Sequence, residues 1–187
     1  MPAQDDARLA EALRPVQSLV MGRCSAGPIQ VVGISDGQPR LVSWQSPDIG
    51  AWQPGGVLPN FGWFPGRSLA TVVDRNGNLV VFVLGTNGVP HIACVQRRRD
   101  LEWMIGSQLD LPPGARYAMV TAGTGRDGTP YLCGLTEGAG GIPTIIAQQD
   151  QDYQWAYGGP LAPSAEAGRY SSVMTVTSAI TSPQVVA

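Results

Sequence analysis

A single histidine, His91, three cysteines and a scatter of carboxylates are the groups here that could do acid–base, nucleophilic or metal chemistry. A zinc site needs several Cys, His or carboxylate ligands at short, regular spacing. No cysteine or carboxylate stands at such a spacing from His91, so no metal and no cofactor is expected. Cys24, Cys94 and Cys133 are odd in number, lack a Cys-x-x-Cys pair and each sit inside an apolar run. Free cysteines in that setting act as small buried hydrophobes, which fits a reducing compartment. Asp36, Asp127 and Glu137 fall at or near turns in different parts of the chain, and a facing pair of such groups could cleave a glycosidic bond. The sequence has no GxSxG, HExxH, GxxxxGK[ST] or sialidase-type Asp box. Asp74-Arg75-Asn76-Gly77 starts like a calcium loop but lacks the further carboxylates and closing Glu. Arg97-Arg98-Arg99 could grip phosphate, but Asp100 and Glu102 beside them describe a solvated turn. These groups point to recognition, not catalysis.

For recognition the aromatic residues matter most. Trp44, Trp63, Tyr131, Tyr153 and Tyr157 occur once each rather than in a series, and with His91 they form the candidate ligand-binding set. Trp63 lies in the Gly/Pro-flanked phrase FGWFPG, a connection of the kind that carries function disproportionately. A plug holding that connection down is the plainer role for it. Trp52, Trp103 and Trp155 behave differently. They open the phrases WQPGGVLP, WMIGSQLDLP and WAYGGPLAP, 51 and 52 residues apart, and side chains held at one phase of a repeat are expected to pack neighbouring sheets together.

The period extends beyond the tryptophans. Gly27, Gly77 and Gly128 recur at 50 and 51 residues, and Pro39, Pro90 and Pro143 at 51 and 53. Six residues after each proline comes Gln45, Gln96 or Gln149, a further structural marker. Within the second copy, SLATVVD (68–74), LVVFVLG (79–85), PHIACVQ (90–96) and LEWMIG (101–106) read as four short strands. They are separated by Arg75-Asn76-Gly77-Asn78 and Thr86-Asn87-Gly88, whose Asn and Gly accept positive φ, and by the polar tip 97–100. The all-apolar second strand should be buried on both faces. Copies one and three parse the same way.

Four strands in about 51 residues is the signature of a β-propeller blade. The expected fold is therefore all-β: a β-propeller of three complete blades plus the first strands of a fourth, with an internally duplicated β-sandwich as the alternative. The units fall at about 18–67, 68–115, 116–168 and 169–187, after an acidic segment 1–17 with a short helix over 5–14. A propeller closes with about four blades or more. The expectation is thus a fragment, or a ring completed by other chains, because open apolar edges invite association.

The remaining composition narrows the partners. A formal charge of −2 supplies no basic field for nucleic acid. With 14% charged residues the surface must be largely neutral and polar, which suits uncharged ligands, sugars included. No run reaches the ~18 apolar residues of a membrane helix, and the N-terminus has no apolar signal core, so the expected location is cytoplasmic unless a non-classical route exports the chain.

The phrase NLVVFVLGTNGVPHIACVQ, followed by DLEW, together with the GGxL phrases after Trp52 and Trp155, resembles the blades of bacterial PLL-type, fucose-binding propeller lectins. More loosely it is similar to tectonin repeats. The resemblance covers most of residues 19–187 and implies a lectin with sugar pockets between blades. In those lectins the third strand carries His and Trp. Here PRLVSWQ, PHIACVQ and PTIIAQQ retain only Trp44 and His91, a departure that favours a changed ligand or a scaffold role. Three functions fit the residues: a carbohydrate-binding module, a protein–protein interaction or assembly scaffold that self-associates, and, third, a hydrolase on the same frame.

Overall fold

A computed structural model describes residues 16–59, 65–138, 141–161, 174–176 and 184–186. The expected helix at 5–14 and Trp63 lie outside the described residues, which contain strands and turns and no helix.

The strands form three antiparallel sheets that repeat one up-and-down order. The first contains β1 (Leu19–Gly22), β2 (Gln30–Ser35), β3 (Gln38–Gln45) and β4 (Trp52–Val57). The second contains β5 (Gly66–Val73), β6 (Leu79–Gly85), β7 (Pro90–Gln96) and β8 (Trp103–Ile105). In the third, β9 (Tyr117–Thr124), β10 (Pro130–Thr136) and β11 (Pro143–Gln149) are followed by an outer strand in two pieces, β12 (Trp155–Ala156) and β13 (Gly159–Pro160), both paired to β11. A two-stranded sheet, β14 (Met174–Val176) and β15 (Gln184–Val186), comes next. The expected bounds of β6 and β7, 79–85 and 90–96, match the structure, because Gly, Asn and Pro punctuate the ends of these runs. The expected outer strands prove shorter.

The repeated Trp-x-x-Gly phrases have a steric cause. A Cβ added at Gly55 would sit 1.8 Å from the Leu41 carbonyl oxygen, and one at Gly106 would sit 2.0 Å from that of Ile92. At Gly158 it would meet Ile145 Cγ2 at 2.5 Å. The outer strand therefore presses its backbone onto the third strand at this one position, where only glycine fits. Gly77 answers two demands at once, a φ of +80° and the Ser25 hydroxyl of the preceding sheet, 2.2 Å from where a Cβ would be.

Strand alternation gives each sheet two faces, and both faces of the second sheet are covered. Val81 and Val83 of β6 pack with Val32 and Ile34 of β2, while Val80, Phe82 and Leu84 pack with Tyr117, Leu132 and Ile146 of the third sheet. All seven residues of β6 are accordingly buried. This is why its pattern is a continuous apolar run and not an alternating one.

Equivalent contacts build the two seams. Gly66 donates its N–H to the Gly37 carbonyl at 2.7 Å, and Tyr117 donates to the Gly88 carbonyl at 2.8 Å, so each sheet enters by binding the turn before it. The repeated Gln and Trp are cross-strand partners: Gln45 faces Trp52, Gln96 faces Trp103, and Gln149 faces Trp155. Trp103 packs into the first seam, and Trp155 meets Phe82 edge-on at 5.1 Å across the second. Each Gln Nε2 ties down the turn to the outer strand, binding the carbonyls of Gly50 (3.0 Å), Leu101 (2.9 Å) and Tyr153 (3.1 Å). Those three residues all have positive φ, at 64°, 62° and 63°. The amide oxygens reach across the seams: Gln96 Oε1 accepts from Gln30 Nε2, and Gln149 Oε1 accepts from the Arg75 N–H at 2.9 Å.

The first strands of the three sheets lie side by side, β1 against β5 and β5 against β9. Thr71 Oγ1 donates to the Met21 carbonyl at 3.1 Å between two of them. Val20, Met21, Leu69, Thr71, Val120 and Thr121 from all three line one shared cavity of about 260 Å³.

Candidate functional site

The seam between the second and third sheets opens into a cavity at each end. At the end where β7 begins, a cavity of about 350 Å³ is lined by His91, by Ser107, Gln108 and Asp110, and by Arg116. Leu109, Leu111, Pro112 and Pro113 supply its apolar wall. His91 reaches it from β7, where it pairs with Val83, and it also forms an isolated bridge with Gln108. The other groups come from the connection that follows β8. The Pro112-Pro113-Gly114 turn bends that connection back over the seam, with the Ala115 N–H closing on the Pro112 carbonyl at 3.1 Å. Rigid prolines and a floor of buried strand give the cavity a preformed shape.

Electrostatically this cavity is mild. Burial lowers the pKa of His91 by disfavouring the imidazolium, so at neutral pH the ring is neutral and offers one donor and one acceptor. Asp110 and Arg116 contribute one charge of each sign. Ser107, His91 and Asp110 all line this cavity, yet no hydrogen bond joins the imidazole to the hydroxyl or the carboxylate.

At the opposite end, Arg75, Asp127, Gly128, Gln151 and Tyr153 surround an open hollow of about 390 Å³. Asp127 accepts from the Thr129 hydroxyl at 2.7 Å and the Thr129 N–H at 3.0 Å, and these bonds, with Arg75 nearby, hold its carboxyl below the usual range. Arg75 bonds the same Thr129 hydroxyl across the seam.

The aromatic set predicted from the sequence does not converge on one site. His91 and Tyr153 line the two separate hollows. Trp44 lies half-buried on β3 opposite Gln30 and lines neither hollow. Tyr131 is half-buried on β10, alternating with the seam residue Leu132. Tyr157 stands between β12 and β13 beside Tyr117, whose hydroxyl is pushed up to about 12 by burial first and then by Tyr157. Gln108, Asp110 and Arg116 were missed, because the repeat marks Trp103 and Gly106 of that phrase and not the polar residues that follow them along His91. The arginine turn is a closed ion-pair knot: Arg97 binds Asp100 at 2.7 Å and also Glu102, and Arg99 binds Asp100 at 3.2 Å. Among the candidate acids, Glu137 is paired with Arg67 at 2.8 Å and lies in neither hollow.

Among the described residues no helix is long and apolar enough to cross a membrane, and no three His, Cys, Asp or Glu side chains cluster as a metal site. Comparison of the sequence with protein-family models finds no match, and comparison with curated proteins finds none either.

Proposed function

We propose that this chain is part of a β-propeller and works as a non-catalytic module that binds carbohydrate between blades. Support for the propeller comes from three sheets of one up-and-down order whose first strands line one shared cavity, while their outer strands lie away from it. The observation that carries the binding function is the His91 cavity. A preformed concavity at a sheet junction, with a proline-leucine wall and a few neutral or opposed polar groups, suits a small, uncharged, hydroxyl-rich ligand. Gln108, Asp110, Arg116 and neutral His91 supply donors and acceptors for hydroxyls, and the apolar wall supplies a surface for C–H faces. The unjoined Ser107, His91 and Asp110 fit binding groups better than a nucleophile and its base.

The test is a glycan-array screen followed by calorimetric titration of the best ligand against the parent chain and the Asp110→Asn and His91→Ala variants. A sugar that binds the parent and loses at least about tenfold in affinity with Asp110→Asn supports the site, tenfold being about 1.4 kcal/mol. An array without hits, or binding indifferent to both substitutions, removes it.

A further inference from the structure

Two copies of the seam face are covered in this molecule, and a third is open. Leu19 in β1 stands 50 residues before Leu69 in β5, at the same position of the repeat. Leu69 is 5% exposed beneath the first sheet, whereas Leu19 is 60% exposed. Met21 on the same face of β1 is 64% exposed, and Trp52 is 50% exposed where Trp103 and Trp155 are packed into seams. Gln45 keeps the bond to its own turn, but its Oε1 has no partner among the described residues. At the covered faces the equivalent oxygens of Gln96 and Gln149 each accept a bond from the preceding sheet. The outer face of the first sheet thus has the apolar residues and the acceptor of a seam, without the sheet that belongs on it.

The two formed seams show what covers such a face: the second-strand side of another sheet of this repeat. The series continues past the third sheet, since β14 lies against β9 as β9 lies against β5. The register of β14–β15 also matches the first sheet. Val176 pairs with Gln184 as Gly22 pairs with Gln30, so Gln184-Val185-Val186 occupies the positions of Gln30-Val31-Val32. Gln30 is the residue that donates across the first seam.

We propose that the open face of the first sheet docks the β14–β15 sheet of a second copy of this chain, with position 184 of the second copy set opposite position 45. The contact is head to tail, so it joins unlike surfaces and propagates until a ring closes. It rests on the geometry of the seams and stands whatever the His91 cavity binds.

Light scattering on the purified chain tests the association: a mass above 19.7 kDa is expected, falling to a single chain for Trp52→Glu and unchanged for Met104→Glu, an exposed position of β8 away from this face. A chain that is monomeric from micromolar to millimolar concentration overturns the proposal. Because Trp52→Glu could disturb folding, a second experiment fixes the geometry. Chains carrying Gln45→Cys are mixed with chains carrying Gln184→Cys under mild oxidation, the three native cysteines being buried. A disulfide-linked dimer of unlike chains is expected. Absence of that dimer, or an intrachain bridge in the double variant showing that the chain covers its own face, overturns the second-copy docking.

Discussion

Replacing Gln96 by Leu should destabilise the chain by about 2–4 kcal/mol, and replacing Gln30 at the same time should recover much of that loss. Gln96 is 4% exposed and Gln30 1%, so neither amide has water to turn to. Gln96 accepts from Gln30 and donates to the Leu101 carbonyl at 2.9 Å. Among the described residues Gln30 Oε1 is buried without a partner, so its bond to Gln96 is the one anchor of that amide there. In Gln96→Leu two bonds worth about 0.5–1.5 kcal/mol each disappear, and a buried amide donor is orphaned at about 1–3 kcal/mol, partly offset by the apolar Leu. In the double variant Gln30→Val/Gln96→Leu no donor is orphaned, and the cost falls to about 1–2 kcal/mol. The next seam offers a natural precedent, because Val80 sits at the register position of Gln30 and Gln149 binds the Arg75 N–H instead. Equilibrium urea unfolding of the parent, both single variants and the double variant gives the coupling energy. A coupling above about 1 kcal/mol is expected. A Gln96→Leu cost below about 0.5 kcal/mol, or strictly additive losses, would refute the role assigned to the seam amides.

Further outcomes follow from the same contacts. Trp155→Ala should cost about 2–4 kcal/mol by urea unfolding, since it removes both packing in the second seam and the edge-on contact with Phe82 at 5.1 Å. A loss under about 1 kcal/mol would mean the seam closes without it. Gly106→Ala must move the Ile92 carbonyl, 2.0 Å from the new Cβ, and should destabilise more than Gly114→Ala, whose added Cβ meets nothing but whose φ of +78° is strained. Burial pushes the Cys94 thiol up to about 12, so it should resist a thiol-specific disulfide reagent at pH 8 until the chain unfolds, and rapid labelling of the native protein would contradict its placement. Burial depresses the His91 pKa below 6.5, so the unfolded chain takes up this proton first. Stability contributed by this group is fully present above 6.5 and is lost as pH falls from there through the depressed folded pKa, and His91→Gln should flatten the dependence over that interval; an unchanged pH profile would refute the burial.

The sequence disclosed the repeated sheets because their causes are local. Asn and Gly at turns, Pro at strand starts and the glycine pressed onto each third strand all leave a mark at fixed phase. Gln45, Gln96 and Gln149 were recognisable as structural by recurrence alone, but the bridges that Gln96 and Gln149 make between sheets depend on contacts 66 and 74 residues away along the chain. The candidate site was far less legible. His91 drew attention as the sole histidine, whereas Gln108 and Asp110 sit inside the repeated phrase WMIGSQLDLP without themselves recurring, and Gln108 meets His91 because the β7–β8 register runs on past Ile105. Tyr153 was singled out as an aromatic. Its position is set by backbone, since it occupies the positive-φ slot held by Gly50 and Leu101 in the other copies. Whole-chain arrangement likewise escapes a local pattern, because nothing in LVMG, the sequence of β1, distinguishes an open face from a covered one.

The most direct test of the carbohydrate-binding account is a backbone amide NMR titration of the isotope-labelled chain with a panel of neutral monosaccharides and disaccharides. The account predicts saturable shifts centred on His91, Gln108, Asp110 and Arg116, with the Arg75–Asp127 hollow unmoved. Saturating sugar that moves no resonance, or moves only residues remote from the His91 cavity, would contradict it.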